Sequence, residues 1–171
     1  MLKDELVALR PWTRADVDAI VECIDGDPEI GIWLDQVPQP YTAADARGYV
    51  DGIGEQAFAI TDASTGRVLG SIGIRWNELR DVGEIGYWVR ADARGKGVVS
   101  RALALVSRFA FEREGAARLQ LRADVENAAS RRAAEKVGYR LEGVLRSAHW
   151  NGRLGRRQDW ALYSLLPGEL G

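Results

Sequence analysis

The residues best suited to chemistry are Arg94-Gly95-Lys96-Gly97-Val98-Val99-Ser100. They lie between an apolar, β-branched and aromatic run, Ile85 to Val89, and a run with helical spacing formed by Val98, Ala102, Leu103, Leu105, Val106 and Phe109. The first run reads as a strand and the second as a helix. A loop that feeds a helix N-terminus leaves several backbone N–H groups unpaired, and the aligned peptide dipoles add partial positive charge. Such a place suits an anion, a phosphate above all. Gly95 and Gly97 let the backbone approach that anion with no Cβ in the way. Arg94 and Lys96 add full charges. Neither common nucleotide pattern is present: there is no Gly-x-x-x-x-Gly-Lys-Ser/Thr, and Gly95-x-Gly97 lacks the third glycine of the dinucleotide fingerprint. The competing reading of this loop is packing and solubility.

Other reactive side chains are sparse. His149 is the only histidine and falls in a strand beside Trp150, where packing or surface placement is favoured over general-base work. Cys23, the only cysteine, reads as a small packing residue within a helix. No spacing of His, Cys and carboxylates suggests a metal site. Between Asp25 and Arg47 the chain carries five acids (Asp25, Asp27, Glu29, Asp35 and Asp45) and one base. This stretch is either a solvated loop or an acidic rim that attracts an amine. Trp33 and Tyr41 lie in the same stretch, of the kind that closes over a substrate.

The elements that must position these residues follow from pattern. Leu6 to Leu9 is a short strand. Thr13 caps a helix from Arg14 to Ile24, and Thr42 caps another from Ala43 to about Ile53, with Asp25 to Tyr41 irregular between them. Gln56 to Thr61 and Val68 to Trp76 are strands joined by a polar turn, and the strand at Glu84 to Val89 pairs antiparallel with the second of them. The helix from Val98 ends at Gly115. Arg118 to Val125 alternates as a strand. Asn127 caps the helix Ala128 to Val137, and Gly138 ends it. Strand-like pieces follow through Trp150, then the hairpin signal Asn151-Gly152 and a last strand, Trp160 to Leu166. This is one α/β domain with a mixed sheet. A chain of 171 residues, 46% hydrophobic and 28% charged, supports one domain with a real core. A net charge of −2 argues against bulk binding of nucleic acid. One cysteine, no run long enough to cross a membrane and no apolar leader at Met1 point to the cytoplasm.

Two motifs, in this order and separation, resemble the GNAT N-acetyltransferases over nearly the whole chain, from Leu9 to Leu166. Arg94 and Gly97, after a strand reading Glu-Ile-Gly-Tyr-Trp-Val, match the acyl-coenzyme A signature Gln/Arg-x-x-Gly-x-Gly/Ala; Val99 stands where Gly or Ala is usual. The stretch Asn127 to Gly143, with Ser130, Glu135, Gly138 and Tyr139, resembles the helix and turn of the Rim-type ribosomal-protein N-terminal acetyltransferases. The resemblance implies a mostly antiparallel sheet of about seven strands, splayed between the strand at Glu84 and the strand at Arg118, with helices on both faces. It implies acetyl-CoA as donor, with the pantetheine arm in the splay. Trp88, Val89, Arg94, Gly95, Lys96, Gly97, Val98, Val99, Ser100, Asn127 and Ser130 would hold the donor. A backbone N–H near Trp88 or Val89 would meet the oxyanion. Glu84 matches a glutamate that acts as base in some relatives. Ala134 stands where many relatives carry a tyrosine acid; in the Rim-type branch a serine at the place of Ser130 contacts the coenzyme near its sulfur, and the acid is either Ser130 or water. Trp33, Tyr41 and Glu84 are the expected acceptor contacts.

The implied activity is transfer of an acetyl group to a primary amine by direct attack in a ternary complex, with a protein or peptide N-terminus ahead of antibiotics and polyamines. The acid excess of Asp25 to Tyr41 argues for a cationic acceptor. A non-catalytic acyl-CoA-binding regulatory module is the alternative from another class. Oligomeric state stays open, a homodimer included.

Overall fold

The computed structural model describes residues 1–53 and 57–171. Gln56, expected to open a strand, lies outside them. Among the described residues eight strands form one sheet in the order β1-β2-β3-β4-β5-β6-β8-β7. They are β1 (Leu2–Lys3), β2 (Val7–Pro11), β3 (Ala57–Asp62), β4 (Val68–Trp76), β5 (Val82–Val89), β6 (Arg118–Asp124), β7 (Arg140–Asn151) and β8 (Arg156–Leu165). Every pair is antiparallel except β5 with β6. The strand beyond the expected number is the two-residue β1, too short to leave a pattern in the sequence.

Among the described residues five α-helices cover both faces: α1 (Val17–Ile24), α2 (Pro28–Trp33), α3 (Ala43–Ile53), α4 (Val98–Glu112) and α5 (Ala128–Val137). On one face α4 and α5 bury Leu103, Val106 and Ala134 against Leu9, Ile72 and Leu121 of the sheet. On the other, α1 and α3 bury Ile20, Ile24 and Ala46 against Ala57, Ala59, Val68 and Trp88. Both helix sets present an apolar stripe at helical spacing, so each needs a sheet face to cover it. Cys23 sits in the second core at 3% exposure. Burial pushes its thiol up to about 11 against the opposing pull of Arg90, so it is a packing residue and a poor nucleophile.

Helix α2 replaces part of the irregular stretch expected between Asp25 and Tyr41. Its signal was local: Asp27 accepts from the N–H groups of Glu29 and Ile30, and Pro28 occupies the first turn. Tyr41, expected at the acceptor site, is only 6% exposed and packs in the core with α1 and α3. Its large apolar ring is better satisfied there than at a loop tip.

Candidate active site

The site begins where the sheet fails to close. Strands β5 and β6 pair only at Val82 with Arg118, Gly83 with Leu119 and Glu84 with Gln120. Beyond Glu84 the two diverge, β5 staying with β4 and β6 with β8. In an antiparallel ladder alternate residues turn their N–H and C=O to opposite sides. The N–H of Arg90 donates to Leu69 O and that of Asn77 to Val82 O. Even-numbered residues of β5 therefore face β4, while Ile85, Tyr87 and Val89 turn theirs into the gap. Of the two expected oxyanion donors, Val89 faces the gap and Trp88 does not. The Trp88 ring is 9% exposed and stacks on Trp12 with centroids 6.2 Å apart.

At the mouth of the gap Gly97 starts α4 with φ 78°, and no side chain caps that helix. Its first intrahelical bond is Arg101 N–H to Gly97 O. The N–H groups of Val98, Val99 and Ser100 precede that bond and are open to an anion. A Cβ built on Gly95 or Gly97 would meet no atom within 4 Å, so open space fronts both. Val99 packs partly against the core and also lines the cavity, so the larger side chain at this position remains part of this front. Lys96 is exposed and stands outside the lining of the cavity. The Arg94 guanidinium is held by Asp27 and by Glu29 at 2.5 Å, both near the start of α2, and its Nε donates to Val89 O at 3.2 Å.

Helix α5 closes the other side of the gap. Asn127 Oδ1 accepts the Ser130 N–H at 3.0 Å, which is the cap expected of it. Ser130 Oγ lies 2.8 Å from the hydroxyl of Tyr87. Tyr87 was not singled out from the sequence, although its place in the strand facing Ser130 follows from alternation once the sheet order is known. Burial pushes its hydroxyl up to about 12, with the Ser130 bond pulling the other way. It is a protonated donor at neutral pH.

The same cavity, about 1070 Å³, continues across the sheet to a face lined by Trp33, Asp35, Glu84, Arg122, His149 and Trp160. Here Glu84 differs from a free base. One of its oxygens accepts from Arg75 at 2.6 Å, and the other from Arg122 at 2.5 Å and Gln120 at 3.2 Å. Burial pulls its carboxyl up, but Arg122 and Arg75 outweigh that and hold it below its ordinary value. Such a carboxylate is a weak proton acceptor and a strong clamp on two guanidinium groups.

Glu84→Gln is therefore expected to cost about 2 kcal/mol of stability at pH 7, since a charged hydrogen-bonded pair is broken at a site 18% exposed. A depressed folded-state value means that this stability is present above about 4.3, the ordinary glutamate value, and fades as pH falls through the lower folded value. Urea unfolding of both proteins should show the difference at pH 7 and its shrinkage near pH 3. A deficit independent of pH would show that the clamp is not electrostatic.

The acids expected to form an attracting rim have internal partners. Asp27 and Glu29 hold Arg94, and Asp25 accepts from Tyr41 N–H. Asp45 caps α3 through Thr42. Asp35 binds His149 Nε2 at 2.9 Å and the Gly152 N–H at 3.0 Å. His149 also stacks on Trp160, centroids 5.0 Å apart, in keeping with the packing expected of it. Among the described residues no group of three or more His, Cys, Asp or Glu could hold a metal, and no helix is long and apolar enough to cross a membrane.

The cavity runs from the uncapped start of α4 to the face lined by Trp33 and Trp160. Residues 7–140 match the acetyltransferase (GNAT) domain model. The chain is 28% identical over 178 residues to YdaF of Bacillus subtilis (strain 168), covering 97% of this chain and 94% of that one. It is 35% identical over 77 residues to the ribosomal-protein-serine acetyltransferase of Escherichia coli (strain K12), covering 44% of this chain and 42% of that one. The acetyltransferase (GNAT family) structure from Bacillus anthracis superposes with a TM-score of 0.88 at 23% identity, covering 96% and 97% of the two chains. The chain belongs to the GNAT acetyltransferase family. It is an N-acetyltransferase that uses acetyl-CoA, and the uncapped start of α4 and the row of N–H groups on β5 suit that donor.

Proposed function

We propose that the acceptor is the N-terminal amine of a protein or peptide, and that it attacks the thioester directly within a ternary complex. The observation that carries this reading is one continuous cavity with the donor cradle on one side of the splay and the Trp33–Trp160 face on the other. The likeness of part of the chain to an enzyme named for acetylating a ribosomal protein points the same way. Acetyl-CoA, held by α4 and by Val89, Asn127 and Ser130, supplies an activated acetyl group. In the transfer the acceptor nitrogen bonds to the acetyl carbon, the carbon–sulfur bond breaks, and one amine proton is lost while the sulfur gains one. The N–H groups of Val89 and Tyr87 face the place where the carbonyl oxygen gathers charge. Tyr87 Oη, supported by Ser130, holds the proton for the departing sulfur. An α-amine titrates at about 7.7–8.0, so a fraction is already neutral and no strong base is required. Glu84 then acts by holding Arg75 and Arg122 in place.

Thiol release from acetyl-CoA, measured with N-terminal peptides, polyamines and aminoglycosides at low and high salt, tests the reading. Peptides should be the best acceptors. Salt should matter little, because screening weakens free charges and Asp27, Glu29, Asp35 and Glu84 already have partners. A polyamine or aminoglycoside as best acceptor would reject the peptide reading. Coenzyme binding with no amine-dependent release would make the protein a regulatory module.

A further inference from the structure

Three cross-strand pairs of β4 and β5 line the cavity: Ser71 with Trp88, Gly73 with Gly86, and Arg75 with Glu84. The glycine pair leaves the middle of this face bare, and a Cβ built on Gly86 would meet no atom within 4 Å. Glycine inside a strand weakens it and often marks a place where a ligand or another chain comes close. At the charged end of the bare stretch Arg122 reaches over from β6. The β5–β6 ladder stops at Glu84 with Gln120, so Arg122 stands at the first step of the gap. Its Nη2 donates to Glu84 Oε2 at 2.5 Å, and its guanidinium carbon lies 5.1 Å from the centre of the Trp160 ring. The group is fixed from two sides, yet its side chain is 32% exposed and lines the cavity. Among the described residues its Nε and Nη1 have no protein acceptor. Glu84 is shared, because its other oxygen accepts from Arg75 at 2.6 Å. Two guanidinium groups therefore stand against one carboxylate, and one positive charge is left over. Asp124, two residues along the same face, does not offset it: Oδ1 accepts the Glu126 N–H, and Oδ2 is sealed from the cavity.

We infer that Arg122 sets acceptor specificity by taking a carboxylate, and that this carboxylate is an acidic side chain in the first two residues of the acceptor peptide. The inference rests on the acyltransferase reading and deepens it. A guanidinium carries five N–H donors in a planar fork that matches a carboxylate edge to edge. Glu84 takes one N–H of Nη2, which leaves a full edge of the fork for a second carboxylate. Glu84 and Trp160 hold the fork in advance, so little ordering remains to be done on binding. A residue of extended chain spans about 3.3–3.6 Å. A carboxylate on the first or second residue therefore reaches Arg122 while the amine stands at the gap. The bare Gly73–Gly86 stretch gives the peptide backbone room. A polyamine would instead bring like charge to the guanidinium. The preference is thus the reverse of the attraction that the acids between Asp25 and Tyr41 suggest in the sequence.

Four tripeptide amides test this: Asp-Ala-Ala and Ala-Asp-Ala, each with its Asn counterpart. Thiol release from acetyl-CoA gives kcat/KM, and calorimetric titration into protein saturated with coenzyme A gives affinity. At least one Asp peptide should exceed its Asn counterpart by about 10- to 100-fold in both quantities. That ratio should hold in added salt, because a partly buried pair is screened far less than an exposed one. In Arg122→Gln and in Arg122→Met it should fall below about threefold. No Asp preference in the wild type would overturn the inference, as would a preference that persists in either folded variant. Urea unfolding shows which variants are folded, and if neither is, the wild-type ratios decide. Alanine against alanine amide tests the other source of a carboxylate, and a larger ratio there would overturn the placement on a peptide side chain. The two readings fail separately. Transfer to peptides with no Asp preference would sink the anion subsite and leave the acyltransferase reading standing. Binding of an Asp peptide that depends on Arg122, without thiol release, would do the reverse.

Discussion

Gly97→Glu is expected to lower acetyl-CoA affinity by at least about 100-fold while the protein stays folded. Gly97 holds φ 78° at the start of α4, in the left-handed region, with empty space where a side chain would project. A side chain there costs about 1–2 kcal/mol in backbone strain. A carboxylate at a helix N-terminus returns about 0.3–1 kcal/mol of that by facing the positive end of the dipole. The net change in stability is small, so weakened binding cannot be ascribed to unfolding. The same carboxylate occupies the place of the donor's phosphates and satisfies the N–H groups they would use. Gly97→Ala carries the strain without the charge and should lose far less. Titration calorimetry with acetyl-CoA and urea unfolding separate the two quantities. Undiminished affinity in a folded Gly97→Glu protein would remove α4 from the donor site.

Tyr87→Phe should reduce kcat by about 100-fold, the lower range for removing a positioned acid. Coenzyme affinity should stay within about threefold, because the ring remains to pack and only one hydroxyl is lost. The stability cost is about 1 kcal/mol for the bond to Ser130. A structural role alone would move stability and leave kcat intact, so the split between kcat and affinity is the decisive readout. The Tyr87 hydroxyl is pushed up to about 12. The wild-type rate should therefore show no decline from its ionisation between about pH 6 and 9. Ser130→Ala should give a smaller loss, since Tyr87 keeps its proton without the serine. A Tyr87→Phe protein with normal kcat would return Tyr87 to a packing residue that holds Ser130.

The frame of the gap was largely legible in the sequence. Each of its parts is a short stretch whose physics is local. An uncapped helix start needs only Gly97 and the run after it. The Asn127 cap is a contact three residues long. The β5 pattern is an alternation within one strand. Even α2, read as irregular, carried its own signal in Asp27-Pro28-Glu29.

The side-chain partners around the cavity were decided by the tertiary structure. Glu84 reads as a base in isolation, and becomes a clamp because Arg75 is nine positions away and Arg122 is thirty-eight positions away. Arg94 reads as a free cation for phosphate, and is held by acids 65 and 67 positions earlier. Tyr41 reads as a substrate contact and is buried. Local patterns determine which segments become strands and helices and which termini lack caps, because those depend on neighbours a few residues apart. Strand order and register decide which side chains share a face across β5, β6, β8 and β7. That is a long-range property of the closed packing, so the partners and orientation of Glu84, Tyr87 and His149 exist only in the assembled sheet.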